Sequence, residues 1–194
     1  RRSSDLAIYG YKDVSGTLTA RTEADYNELS AAEKTGLPYL NPVLNVVSCT
    51  SIGNVFGGGY GLGATMYGSP TVNINMIPGD YAEDVDSDGD GVNDSKALGT
   101  IGNVYGGGEE ANVVGNTAVN ICTQATVTVR SKIGGPVTNE PTAVQGALIT
   151  GNVFGAGKGV DPSIKLSVES AMVTGNTTIT MAKGSVAKSV YGGG

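Results

Sequence analysis

The chain repeats itself. Ile52-Gly53-Asn54-Val55-Phe56-Gly57-Gly58-Gly59 returns as Ile101-Gly102-Asn103-Val104-Tyr105-Gly106-Gly107-Gly108. It returns again as Gly151-Asn152-Val153-Phe154-Gly155-Ala156-Gly157, and a fourth time as Ser189-Val190-Tyr191-Gly192-Gly193-Gly194. Val55, Val104 and Val153 stand 49 residues apart, and Val190 follows after 37. A period in this range marks a chain assembled from like units, none of which can bury its apolar face alone. A second motif lies between the copies: Thr71-Val72-Asn73-Ile74-Asn75-Met76, Ala118-Val119-Asn120-Ile121-Cys122 and Thr178-Ile179-Thr180-Met181. Each copy alternates apolar and polar residues, the period of a half-buried strand. Val72, Val119 and Ile179, with Ile74, Ile121 and Met181, are expected to face inward; Asn73, Asn120 and Thr180 are expected to face outward.

The tightest stretches, Val104 to Asn116 and Asn176 to Val190, splice into a unit of 26 residues. That length suits one coil of two or three short strands joined by glycine-rich corners. The sequence therefore predicts an all-β fold, a parallel β-helix or β-solenoid built from repeated coils, with a small irregular N-terminal segment. Stacking would bury a continuous Val/Ile column and pair each strand with the copies above and below it. The glycine runs are expected to supply positive φ where the chain turns between faces. A β-sandwich with short strands is the competing architecture, but sandwiches do not ordinarily repeat their own sequence at this interval. The 49-residue steps exceed the minimal unit, so inserted loops are expected at 77–100, 123–148 and 158–173. Residues 41–194 form the repeat domain, and Val43-Leu44-Asn45-Val46-Val47 reads as its first strand.

Residues 1–40 read as an irregular segment or cap over the first coil. They hold a strand at Leu6–Tyr11 and one short helix over Glu23–Lys34, capped by Thr22 and ended by Gly36 and Pro38. With no initiator Met and no signal peptide, the chain reads as a piece of a longer protein that continues past Gly194. Cys49 and Cys122 are either a disulfide pair, two buried thiols, or unrelated.

Composition narrows the chemistry. The 194 residues include no His and no Trp, so catalysis by Ser-His-Asp or Cys-His groups and His-ligated metals are excluded. A net charge of −6 with only 12 Lys+Arg argues against nucleic acid. Gly57-Gly58-Gly59-Tyr60-Gly61-Leu62-Gly63 resembles a phosphate loop only superficially, since no Lys-Ser/Thr pair follows. Glu109-Glu110, adjacent on an extended chain, diverge too far to serve as a glycosidase acid pair. Phe56, Tyr105, Phe154 and Tyr191 are expected to form a stacked column packing the coils, with a ligand-binding ladder as the other reading.

One segment carries metal chemistry. Six of the ten Asp lie between Asp80 and Asp94, and removing residues 80–94 cancels the excess negative charge. Carboxylates at alternate positions followed by Gly suit a hard cation that takes several oxygens. In the best register Asp86, Asp88 and Asp90 are the first ligands, Gly91 is the bend, Val92 offers its carbonyl and Asp94 completes the set. Ala97 stands where an EF-hand would place Glu, so the loop is not a complete EF-hand. The stretch Asp86–Asp94 resembles the calcium loops of thrombospondin type 3 repeats. That resemblance implies Ca2+ in a structural role; a solvated acidic loop is the alternative.

The pattern from GNVFGGG through NTAVNI to GSVAKSVYGGG is similar to glycine-rich repeats in very large secreted proteins of Bacteroidetes-type bacteria. The resemblance covers residues 43–194 and implies an extracellular or cell-surface location, with a structural or adhesive rather than enzymatic role. Its partners would be neighbouring repeats of the parent chain and a host or bacterial surface glycan or protein. A carbohydrate-binding or carbohydrate-cleaving β-helix and a self-assembling filament subunit remain the rival readings.

Overall fold

The structure, a computed structural model, describes residues 7–8, 11–36, 41–77, 98–130, 139–160 and 169–193. The first pass of the chain lays down β1 (Ala7–Ile8), a hairpin of β2 (Tyr11–Val14) and β3 (Thr17–Ala20), helices α1 (Glu23–Asn27) and α2 (Ala31–Gly36), then β4 (Val43–Val46) and β5 (Ser51–Phe56). The second adds β6 (Thr65–Tyr67), β7 (Thr71–Ile74) and β8 (Thr100–Tyr105). The third adds β9 (Asn112–Val114), β10 (Thr117–Ile121), a hairpin of β11 (Thr126–Arg130) and β12 (Asn139–Ala143), then β13 (Leu148–Ile149) and β14 (Val153–Phe154). The fourth ends with β15 (Thr177–Met181), β16 (Ser185–Val186) and β17 (Val190–Tyr191). Strands make up 45% of the protein beside two short helices, so the class is all-β.

Apart from the antiparallel hairpins β2–β3 and β11–β12, three sheets collect these strands, and pairing within each is parallel. The first runs β1-β6-β9 and is extended by a parallel bridge from Val113 to Val173. The second runs β4-β7-β10-β15. The third places β5 on β8, β8 on β13 and β14, and these on β16 and β17. Each pass visits the three sheets in the same order, so neighbours within a sheet are separated by one full trip through the other two. This solves the connection problem of parallel strands without crossover helices.

The register is the one the repeats demand. Val55 pairs with Val104, Val104 with Val153, and Val153 with Val190. Leu44, Val72, Val119 and Ile179 likewise align, as do Val46, Ile74, Ile121 and Met181. In the two middle passes Val72, Ile74, Val119 and Ile121 are fully buried as expected. The fourth pass departs from that expectation: Ile179 is half-buried and Met181 exposed, because no described strand lies over β15. Val104, Val153, Ile101, Ile149, Met76 and Ile77 complete one continuous core. Each such side chain is worth about 1.5–3 kcal/mol when fully withdrawn from water.

The glycine runs work differently from the expectation. Positive φ occurs at Gly61, Gly63 and Gly68, not in the Gly57–Gly59 or Gly106–Gly108 runs. What those runs provide is close approach. A Cβ on Gly57 would lie 2.3 Å from the carbonyl oxygen of Gly106, one on Gly106 2.3 Å from that of Gly155, and one on Gly155 2.3 Å from that of Gly192. Successive passes lie so directly on one another that the column has no room for a methyl group.

Two further expectations are revised. The single helix is split at Leu29–Ser30, because two capping boxes compete for the segment. Thr22 caps α1 through Asp25, as expected. Ser30 then starts a second cap, its N–H donating to Glu33 Oε2 at 2.8 Å while the Glu33 N–H donates back to Ser30 Oγ at 3.3 Å. The N-terminal segment also does more than flank the repeats, since β1 adds a strand to the first sheet. Of the expected insertions, 78–97, 131–138 and 161–168 lie outside the described residues. The described part of the second is the antiparallel β11–β12 hairpin.

Candidate functional site

The proposed metal ligands Asp86, Asp88, Asp90, Val92 and Asp94 lie outside the described residues. The chain on either side of them is well anchored. Ile77 is fully buried and its N–H donates to Val47 O at 3.0 Å; Leu98 packs against the same core. Among the described residues no group of three or more His, Cys, Asp or Glu could hold a metal ion.

What the described residues bring together are columns, one for each repeated position. The aromatic rings of Phe56, Tyr105, Phe154 and Tyr191 stack in sequence, with centroids 4.8, 4.9 and 4.9 Å apart and interplanar angles of 10°, 4° and 11°. That separation equals the spacing of hydrogen-bonded strands, so backbone pairing and ring stacking are satisfied by the same geometry. Burial pushes the Tyr105 phenol above its ordinary pKa.

Asparagine forms the polar columns. Asn73 Nδ2 donates to Asn45 Oδ1 at 2.9 Å, and Asn120 Nδ2 to Asn73 Oδ1 at 3.0 Å. In the third sheet Asn103 Nδ2 donates to Asn54 Oδ1 at 2.9 Å, and Asn103 Oδ1 accepts the Asn152 N–H at 2.9 Å. Asn152 Oδ1 in turn accepts the Ser189 N–H at 3.1 Å. Asn116 Oδ1 accepts the Asn176 N–H at 2.8 Å at the corner before the second sheet. A carboxamide carries both donor and acceptor, so identical residues can satisfy one another indefinitely along such a column. Sequence reading placed Asn73 and Asn120 outward without recognising these ladders; the recurrence of Asn at one phase of each motif was the signal.

The remaining candidates have structural partners. Glu109 accepts from Lys158 Nζ at 2.7 Å, and this carboxylate raises the lysine's pKa. Glu109 is thus engaged by a cation from the next pass, while Glu110 sits at φ 63° beside it. Cys49 and Cys122 are both free thiols, so no bridge joins them. Burial pushes both thiols up in pKa, away from nucleophilic reactivity.

A groove runs along the side of the second sheet. About 470 Å3 in volume, it is lined by Asn45, Val47, Asn75, Gln124, Thr126 and Thr128, with Val127. Asn75, buried there, accepts the Gln124 N–H at 3.2 Å and so ties the β11–β12 hairpin to β7. Among the described residues the lining is uncharged and rich in amides and hydroxyls. No described helix is long and apolar enough to cross a membrane.

Comparison with family models, curated proteins and solved structures returns no match.

Proposed function

We propose that this chain is a β-solenoid segment of a larger extracellular bacterial surface protein, with a structural or adhesive rather than catalytic role. The observation that carries this reading is where the repeated residues go. Val55 and Gly57 recur unchanged in all four copies and Phe56 as an aromatic in each, and all three sets lie in contacts between passes. Repetition here is spent on stacking. A chain whose recurring residues hold like layers together gains length and stiffness with each added unit, and its insertions are left to vary.

Ca2+ at Asp86, Asp88, Asp90, the Val92 carbonyl and Asp94 would rigidify the insertion between β7 and β8. The oxygen-only donor set suits a hard cation, and extracellular calcium is concentrated enough to fill even a weak site. For a Kd of about 0.1–1 mM, 1 mM Ca2+ stabilises the folded chain by about 0.4–1.4 kcal/mol. The test is a melting curve in calcium and in EGTA, with a rise of about 1–5 °C expected in calcium. Identical curves would remove the ion from the account.

The amide-lined groove favours a second reading, binding of a neutral glycan. Chemical-shift changes at Asn45 or Gln124 on adding oligosaccharide would support it, and a flat titration across neutral and acidic sugars would dismiss it.

A further inference from the structure

The asparagine ladder of the second sheet uses only half of its hydrogen-bonding capacity. A carboxamide offers two N–H donors and two acceptor lone pairs. Asn73 Nδ2 donates once, to Asn45 Oδ1 at 2.9 Å, and Asn73 Oδ1 accepts once, from Asn120 Nδ2 at 3.0 Å. Among the described residues its side chain has no other partner, so one N–H and one lone pair stay open on a half-buried residue. Asn73 stands between the paired strands β4 and β10, so these open valences belong to the side of the stack and not to either end. The third sheet uses its carboxamides differently, since Asn103 Oδ1 and Asn152 Oδ1 turn to backbone N–H groups.

The same column runs into the groove beside the β11–β12 hairpin. Asn45 belongs to both, and the lining reaches from Asn45 and Val47 of the first pass, past Asn75 of the second, to Gln124 and Thr126 of the third. The groove therefore runs along the stack, across the strands. Asn75, two residues after Asn73 and on the same side of the strand, is only 2% exposed, and its Oδ1 accepts the Gln124 N–H at 3.2 Å. Its Nδ2 has no partner among the described residues. No wholly buried side-chain nitrogen or oxygen among them lacks a partner, so this amide nitrogen keeps its opening onto the groove.

We propose that this side of the second sheet binds an extended, uncharged polysaccharide lying along the stacking axis. The inference rests on the glycan reading of the groove and gives that glycan its class and its direction. Passes follow one another at about 4.8 Å, close to the length of one hexose in an extended chain, so successive rungs meet successive sugars. Each sugar hydroxyl both donates and accepts, which is what a half-used carboxamide asks of a partner. Val47 adds an apolar surface for the C–H face of a ring. Residues 41–76 and 111–129 contain no charged side chain, so an acidic glycan finds no cation on these strands.

The test is calorimetric titration of the full chain with linear β-1,4-linked gluco-, manno- and xylo-oligosaccharides of two to six units, with hexagalacturonate as the acidic probe. Affinity for a neutral series should rise from the disaccharide to the tetrasaccharide, and hexagalacturonate should bind no better than the neutral disaccharide. Asn73→Ala should weaken binding of the neutral hexamer about five- to tenfold, the loss of one or two hydrogen bonds. Asn103→Ala cuts the ladder of the third sheet and should bind as the parent does, which separates a lost site from a general loosening of the stack. Circular dichroism of both variants should match the parent. An affinity independent of length, or an Asn73→Ala chain that binds as the parent does, would overturn the axial placement and leave a glycan confined to the groove. Preference for hexagalacturonate would overturn the uncharged class. No heat with any probe would remove the glycan reading and this inference together.

Discussion

The middle passes and the last pass contain nearly the same residues and fare differently. Val104 and Val153 are fully buried where Val190 is half out in solvent; Tyr105 is buried where Tyr191 is not. Ile121 is sealed, and Met181, its register partner in β15, is exposed. Local sequence does not distinguish them, and the strands hydrogen-bond below in the same way. Burial here belongs to the neighbour above. A pass supplies half of an interface, and its contribution to stability depends on being between two others.

Matched substitutions can break that comparison. The largest contrast is expected at the glycine column. Gly106→Leu puts a side chain against a carbonyl of the next pass and should cost upwards of about 4 kcal/mol, while Gly192→Leu should be nearly neutral in the single copy. Urea unfolding of the two variants measures the difference, and equal costs would mean that the passes do not lie as closely as described. Next comes the apolar column. Ile121→Ala should lose about 3 kcal/mol, within the range for buried Ile truncation, and Met181→Ala less than about 1. Third are the asparagine ladders. Asn103→Ala removes a donor and an acceptor at once and should cost about 1–2 kcal/mol, whereas Asn54→Ala, at the open end, should cost about half as much.

The smallest effect sharpens the contrast from outside the stack. The Lys12 ammonium, then the Thr22 N–H and hydroxyl, hold the Asp25 carboxyl well below the usual carboxylate range. A lowered folded value means the interaction is complete at neutral pH. It is lost as the pH falls from the ordinary carboxylate range through that lowered value. Asp25 is half-buried and its partners Lys12 and Thr22 both belong to the N-terminal segment, so Asp25→Asn should erase the acid-dependent change in amide signals of α1 and leave the unfolding midpoint of the stack in place. A large shift in that midpoint would tie the N-terminal segment to the core far more tightly than its contacts indicate.

The strand register was legible because two motifs recur at a common phase. Val55, Val104 and Val153 had to align if the repeats stacked at all, and Val43–Val47 was read as the first strand of the repeat domain, without the recognition that it aligns with the second motif. The first sheet was overlooked. Ala64-Thr65-Met66-Tyr67-Gly68, Ala111-Asn112-Val113-Val114-Gly115 and Ala171-Met172-Val173-Thr174-Gly175 recur at one phase before the second motif and pair in that register, but each copy is short and keeps only its Ala and Gly unchanged. The glycine runs were noticed and assigned the wrong office, since composition alone cannot tell a residue kept for its torsion from one kept for its missing side chain. The helix break escaped notice because Ser30 and Glu33 look like ordinary polar helix residues until they are seen as a cap. The acidic loop was the plainest motif in the sequence, and its ligands stand outside the described residues.

The parallel ladders set how this chain would give way under load. The hydrogen bonds joining one pass to the next run along the direction of stacking, so tension on the two termini falls on a single outermost interface rather than on all of them together. Pulled apart, the chain would peel in discrete events, each freeing about one repeat. The 49 residues between Val55 and Val104 span roughly 160–175 Å when drawn straight. A tether made this way yields by lengthening, and it can recover, because the passes beneath the detached one still hold the template on which it rewinds.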